Sequence, residues 1–242
     1  MIAEINGKLG GRRIHIADRL EDELTGNFFG NMRYFSFDKG MKKVLRKAKS
    51  RGNVVEILDR INLEDWVSCI KFWPRVKLES NQKIIEPDVQ LDLENATVFI
   101  EVKYNSALSF SDEKNEINNS QVDKEGISQL ELEAQGLEQI ADNNTKILIL
   151  LAKEAYVCQV CESEPDKGES FPKDVKLGYI AWEDVFDVLQ DIEKTDDLSS
   201  FEKVIIGDVS ELLKKKGFER FRDFDMCKDP VIESHASWKF DF

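Results

Sequence analysis

Asp88, Glu101 and Lys103 have the types and spacing that hydrolysis of a phosphodiester would use. Asp88 follows Pro87 at the start of one apolar-rich run, and Glu101-Val102-Lys103 lies late in a second. Side chains alternate along a strand, so Glu101 and Lys103 share one face, while Ile100 and Val102 share the other. The apolar face can enter a core as the charged face looks into a cleft, and a hairpin brings Asp88 beside it. Two carboxylates suit magnesium, a hard cation that prefers oxygen donors, and the carbonyl of Val102 is a further candidate ligand. Such an ion acidifies water and neutralises charge on a phosphate. A lysine beside it orients or helps deprotonate the attacking water and stabilises developing charge.

The pattern of an acid two residues before a lysine is not unique in this chain. It recurs at Asp112-Glu113-Lys114 and Asp174-Val175-Lys176, and the second copy follows another Pro-Asp pair, Pro165-Asp166. Context separates the copies. Asp112 lies in a polar stretch, and the segment 166–176 contains Gly168 and Pro172, which disfavour an apolar hairpin. Only 88–103 lies on two candidate strands, 84–93 and 97–104, joined by a turn at 94–96. The competing reading is an exposed hairpin whose charges are simply solvated.

The elements around the hairpin predict a mixed α/β fold with a central mixed sheet flanked by helices. Residues 3–9 read as a short strand and 14–24 as a helix, with Thr25-Gly26-Asn27 as a break before a second helix near Phe28. Residues 40–50 read as a basic helix with Met41, Val44, Leu45 and Ala48 inward, and 53–61 as another. Residues 67–72 read as a strand, 109–126 as a polar loop and 127–141 as a helix. The run Ile147-Leu148-Ile149-Leu150-Leu151 marks a buried strand over 146–152. A second polar loop is expected at 161–174, a strand at 176–182, and helices at 183–192, 199–205 and 209–216, the last capped by Gly217. No composition shift divides the chain. It reads as one domain with a helical part at 14–61, a core at 67–182 and a helical C-terminal part at 183–242.

The 242 residues carry a net charge of −13, with 41% hydrophobic and 33% charged residues, a composition expected of a soluble globular protein. No apolar run is long enough for a membrane span, and no secretory signal opens the chain, so a cytoplasmic location with Cys69, Cys158, Cys161 and Cys227 reduced is expected. The acidic balance argues against a broadly basic nucleic-acid-binding face and favours modest affinity, or a partner protein that delivers substrate. The cations most concentrated in sequence lie on the helix at 42–49. Lys43, Arg46 and Lys47 there are the candidate phosphate contacts, against the commoner explanation of a solvated helix face.

Asp88, Glu101 and Lys103, with the segments around them, resemble the PD-(D/E)XK nuclease superfamily, whose fold is restriction-endonuclease-like. The segment 18–34 looks like the opening helix of one prokaryotic branch, and the helix from Gln129-Leu130-Glu131-Leu132-Glu133 looks like one found in many superfamily exonucleases. The stretches 179–185 and 208–224 also resemble the C-terminal part of that branch. The resemblance implies a helix-flanked mixed sheet and a Mg2+- or Mn2+-dependent nuclease, but no particular substrate; the leading expectation is a nuclease acting on DNA, in a setting such as prokaryotic defence that the resemblance alone suggests. The resemblance also implies that a helix acid completes the metal site, Glu21 by best match with Asp22 and Glu23 as alternatives, and that Gln129 reaches the active site. The tyrosine often paired with that glutamine has no obvious counterpart.

Other residues carry less. Cys158-Gln159-Val160-Cys161 has zinc-like spacing without two further nearby ligands, and ordinary reduced thiols account for it. His15 reads as a surface or packing residue, and Trp66, Trp73, Trp182 and Trp238 as core or edge aromatics. Dimerisation would suit cutting of paired strands, though no segment announces an interface. The alternative to an active nuclease is a non-catalytic nucleic-acid-binding or scaffold subunit. A small-molecule phosphohydrolase ranks lower, because no nucleotide-binding glycine-rich loop is present.

Overall fold

The apolar run at 147–151 has no polar side to give to water, so it sits between two other strands. The structure, a computed structural model, describes residues 2–8, 16–50, 53–61, 65–104, 119–141, 144–162, 171–195 and 197–220. Its helices are α1 (Ile2–Ile5), α2 (Ile16–Met32), α3 (Met41–Leu45), α4 (Val54–Asp59), α5 (Asn119–Ile140), α6 (Glu154–Glu162), α7 (Trp182–Thr195) and α8 (Ser200–Lys215). Its strands are β1 (Ile70–Phe72), β2 (Val76–Lys77), β3 (Ile84–Ile85), β4 (Val89–Leu93), β5 (Ala96–Val102), β6 (Thr145–Ala152) and β7 (Val175–Ala181).

The fold is mixed α/β. Five strands form one sheet in the order β1-β4-β5-β6-β7, and β2 pairs with β3 in a separate small ribbon. Strands β1, β4 and β5 pair antiparallel, while β5, β6 and β7 pair parallel. Helices cover both faces. Val98, Ile100 and Val102 join Ile147, Ile149 and Leu151 in the larger core with α2, α3, α4, α7 and α8. Phe99, Leu148 and Leu150 join a second core with α5, α6 and the β2–β3 ribbon. Every residue of β5 is buried, so the hairpin is not a solvated one. Among the described residues, no helix is long and apolar enough to cross a membrane.

Several local expectations are corrected. Residues 2–5 form helix α1, not a strand, because Ile2 and Ala3 pack on a glycine face of α2. A Cβ on Gly26 would stand 2.8 Å from the Ala3 nitrogen, and one on Gly30 2.7 Å from Ile2 Cγ1. The expected break at Thr25-Gly26-Asn27 is therefore absent. The cost of glycine in a helix, about 1 kcal/mol, is offset by this close packing, and α2 runs unbroken.

Pro87, which lacks an N–H, splits the expected strand over 84–93 into β3 and β4. The expected strand at 67–72 begins as a 3-10 turn, Trp66–Cys69. Helix α5 already covers residues 119–126, which read as loop, while 105–118 lie outside the described residues. Helix α6 occupies the start of the second expected loop and buries Val157 and Val160 against the sheet. Helix α8 spans the expected gap at 206–208, held by buried Ile205, Ile206, Val209 and Leu213. Its N-terminus carries a reciprocal Ser199–Glu202 capping box. At its end Gly217 adopts φ +81°, with Gly217 N–H donating to Lys214 and Phe218 N–H to Leu213, so the expected cap is present.

Candidate active site

The carboxylates meet at the end of β5, where three elements deliver them. Asp88 enters β4 immediately after Pro87. Its position is fixed twice by Trp73, whose backbone N–H donates to the Asp88 carbonyl (3.0 Å) and whose indole N–H donates to Oδ1 (3.0 Å). The other carboxylate oxygen accepts from the Val102 backbone N–H at 2.8 Å. Trp73 has φ +45°, an uncommon conformation for a bulky residue, held here by these bonds. Asp88 is 7% exposed and Glu101 3%. Glu101 shares its face of β5 with Phe99, turned toward α5.

Lys103 follows on that face. Its ammonium lies 2.6 Å from Glu101 Oε1 and 3.2 Å from Glu21 Oε1. Glu21 reaches across from α2, and its second oxygen accepts from the Tyr104 N–H at 2.9 Å. Tyr104 is anchored edge-on to Phe218, which stacks on buried Trp182. Trp182 in turn meets Phe28 of α2 edge-on, so the β5 exit and α2 are tied together by packing as well as by charge.

Gln129 on α5 closes the group. Its Nε2 donates to Glu101 Oε1 (2.6 Å) and to Glu133 Oε1 (3.1 Å). This spends both amide hydrogens on carboxylates and leaves the carbonyl oxygen as the acceptor end. Glu133, one turn further along α5, is 2% exposed, and its Oε2 has no hydrogen-bond partner.

The electrostatics follow from this crowding. Burial, then the charges of Glu101 and Glu21, hold the Asp88 carboxyl well above the usual carboxylate range. Burial, then Glu101, does the same to Glu133. Glu21 is also raised, burial outweighing the opposing Lys103 charge and Tyr104 N–H. Burial works against the Lys103 ammonium, but Glu101 and Glu21 outweigh it and keep it firmly protonated.

Comparisons of the chain with family models, with curated proteins and with solved structures find no match. The site therefore stands on its own geometry.

The structure brings together Asp88, Glu101, Lys103, Glu21 and Gln129 in one cleft of about 630 Å³. One ligand oxygen each from Glu21, Asp88 and Glu101 lies within 4.8 Å of the other two. Of the helix acids left open by sequence, Glu21 joins the carboxylates. Asp22 lines the same cleft and pairs with Lys8 at 3.5 Å, and Glu23 is exposed. Val102 contributes its N–H to Asp88.

Lys43, Arg46 and Lys47 are not in this cleft. They line a separate groove with Val188, Asp191 and Ile192 of α7, and Arg46 pairs with Asp59 at 2.9 Å. Cys69 and Cys158 are free thiols outside the site. His15, Cys227, His235 and Trp238 lie outside the described residues.

Sequence reasoning missed Glu133, Trp73, Lys8 and Arg75. Glu133 had a signal, the i,i+4 spacing from Gln129, which places both on one helix face.

A divalent cation fits these residues. The donors are all hard carboxylate oxygens, they lie close enough to share one ion, and they outnumber the single ammonium that touches them.

Proposed function

We propose that the protein is a metal-dependent nuclease of PD-(D/E)XK type on a restriction-endonuclease-like core, hydrolysing phosphodiester bonds of DNA. The observation that carries this reading is the convergence of Asp88 and Glu101, from one hairpin, with Glu21, from a helix far away in sequence, beside Lys103 in an open cleft. Glu21, Asp88 and Glu101 would hold Mg2+ or Mn2+, with the Val102 carbonyl as a further candidate ligand. The ion supplies positive charge at the phosphate and acidity to water.

The chain's own residues do the remaining work. Trp73 and the Val102 N–H fix the Asp88 carboxylate, so little reorganisation is needed when substrate arrives. Gln129 fixes Glu101 from the α5 side. Lys103, held protonated between two carboxylates, acts as a donor that orients the attacking water and stabilises charge developing on phosphoryl oxygen, rather than as the base.

The test is incubation of the protein with circular single-stranded DNA, circular duplex DNA, linear DNA and RNA, in Mg2+ or Mn2+ and in EDTA. Cation-dependent cutting of DNA supports the reading, and cutting of circles identifies an endonuclease. Cutting of RNA alone would correct the substrate. No cutting of any substrate would remove the catalytic claim.

A further inference from the structure

The cleft has two lips, each fixed to its own helix. One is the turn after α1, carrying Lys8, held down because Ile2 and Ala3 sit on Gly26 and Gly30 of α2. The other is the β2–β3 ribbon. It is clamped to α5 by Gln139, which accepts from the Glu79 N–H (2.9 Å) and donates to the Lys77 carbonyl (2.9 Å). Ile85 packs directly on Gly136, where an added side chain would have to displace its tip. The ribbon pairs Val76 with Ile85 and Lys77 with Ile84, so Arg75 and Glu86 are the next pair in register, at its cleft end.

Across the opening, Lys8 Nζ meets Glu86 Oε1 at 2.6 Å, and Arg75 Nε meets Glu86 Oε2 at 2.8 Å. Lys8 also lies 3.5 Å from Asp22 and 5.4 Å from the Trp73 ring centre. One carboxylate thus holds two cations from opposite lips. Arg75 spends only Nε on it, its side chain is 77% exposed, and its two terminal nitrogens have no partner among the described residues. Trp73, beneath Lys8, is the same residue that fixes Asp88, so this cation pair is in register with the carboxylate group.

We propose that Lys8 and Arg75 form a phosphate subsite at the mouth of the cleft, taking a backbone phosphate of a nucleic-acid strand next to the bond presented to Asp88 and Glu101. The proposal rests on the nuclease reading for the identity of the strand. Glu86 acts as the stand-in anion of the empty subsite. It holds both cations in place and is displaced when a phosphate takes the bidentate face of Arg75 and the Lys8 ammonium. The cleft is otherwise lined by more carboxylates than cations, so these two are the groups that make a polyanion welcome there.

The test uses the full chain in Ca2+, with fluorescence anisotropy of a short labelled single-stranded DNA and, as a second arm, RNA of the same sequence. Lys8→Gln and Arg75→Gln are each expected to weaken binding by about fivefold to tenfold. Each should also flatten the slope of log affinity against log salt by about 0.7, the loss of one phosphate contact. Glu86→Gln is expected to tighten binding, because it removes the competing anion. A purely structural clasp predicts the reverse, since losing Glu86 would then scatter both cations. Weaker binding by Glu86→Gln, or unchanged affinity and slope in the two cation variants, overturns the subsite. The arm with the higher affinity identifies the strand. Binding that follows Lys8 and Arg75 in a protein that cuts nothing retires the nuclease reading and keeps the subsite. Cutting that is indifferent to both retires the subsite alone.

Discussion

Glu133→Gln is expected to stabilise the protein in the absence of divalent cations, and the gain should grow with pH. Gln129 Nε2 contacts Glu101 Oε1 at 2.6 Å and Glu133 Oε1 at 3.1 Å, so the two carboxylates face each other across one amide. At an effective dielectric of about 20, two unit charges roughly 4–6 Å apart repel by about 3–4 kcal/mol. Glu133 Oε2 is buried with no partner, so it adds a desolvation cost that nothing offsets. Glutamine keeps an oxygen for Gln129, loses the charge and gains a donor that can face Glu101.

The sign follows from the raised pKa. Folded Glu133 keeps a proton at pH values where the unfolded chain has lost it. The folded wild type therefore binds more protons than the unfolded chain, and its stability falls as pH rises above the ordinary glutamate range. The variant lacks that loss. Urea unfolding in EDTA should give a gain of about 1–3 kcal/mol at about pH 8 and less at about pH 5. By thermal melting this is about 2–4 °C per kcal/mol for a chain of this size. A variant less stable than wild type at pH 8, or a gain equal at both pH values, would refute the picture of a charge-crowded site.

Other expectations are narrower. Trp73→Phe keeps the ring but removes the indole N–H from Asp88, and should lower Mn2+ affinity by about 10- to 100-fold in calorimetry. Gly136→Ala crowds the Ile85 side chain of the β2–β3 ribbon, and should cost about 1–3 kcal/mol in urea unfolding; an unchanged midpoint would mean that Ile85 yields freely. Ser199→Ala removes one half of the α8 capping box and should cost about 1 kcal/mol in the same assay. Charge reversal at Lys43, Arg46 and Lys47 together tests their groove as a DNA contact: binding should weaken and its salt dependence flatten, and unchanged binding leaves them as surface charges with no part in binding.

The part of the site that sequence disclosed was local. Glu101 and Lys103 share a strand face by simple alternation, and Asp88 is carried to them by a hairpin of two adjacent strands. The central sheet was legible for the same reason, because runs such as 147–151 leave little choice of environment. Glu21 is nearly seventy residues from Asp88, and no spacing links the two; resemblance alone singled it out.

What escaped depends on contacts between distant elements. Gly26 looks like a helix breaker until α1 is laid against it. Trp73 reads as an ordinary aromatic until its φ of +45° and its indole bond to Asp88 are seen. Glu133 shares a helix face with Gln129, yet nothing local states that this face turns toward β5. Cation density in sequence pointed to α3 and the turn after it, whereas Lys8 and Arg75 at the mouth of the cleft are far from one another in sequence and meet through Glu86.

The most direct measurement is the initial rate of DNA cleavage in Mn2+ by wild type, Asp88→Ala and Lys103→Ala, each first shown to be folded by circular dichroism. The account predicts cutting by wild type, its loss in EDTA, and a fall of at least about 100-fold in both variants. Folded variants that cut at the wild-type rate would place the activity elsewhere and contradict the account.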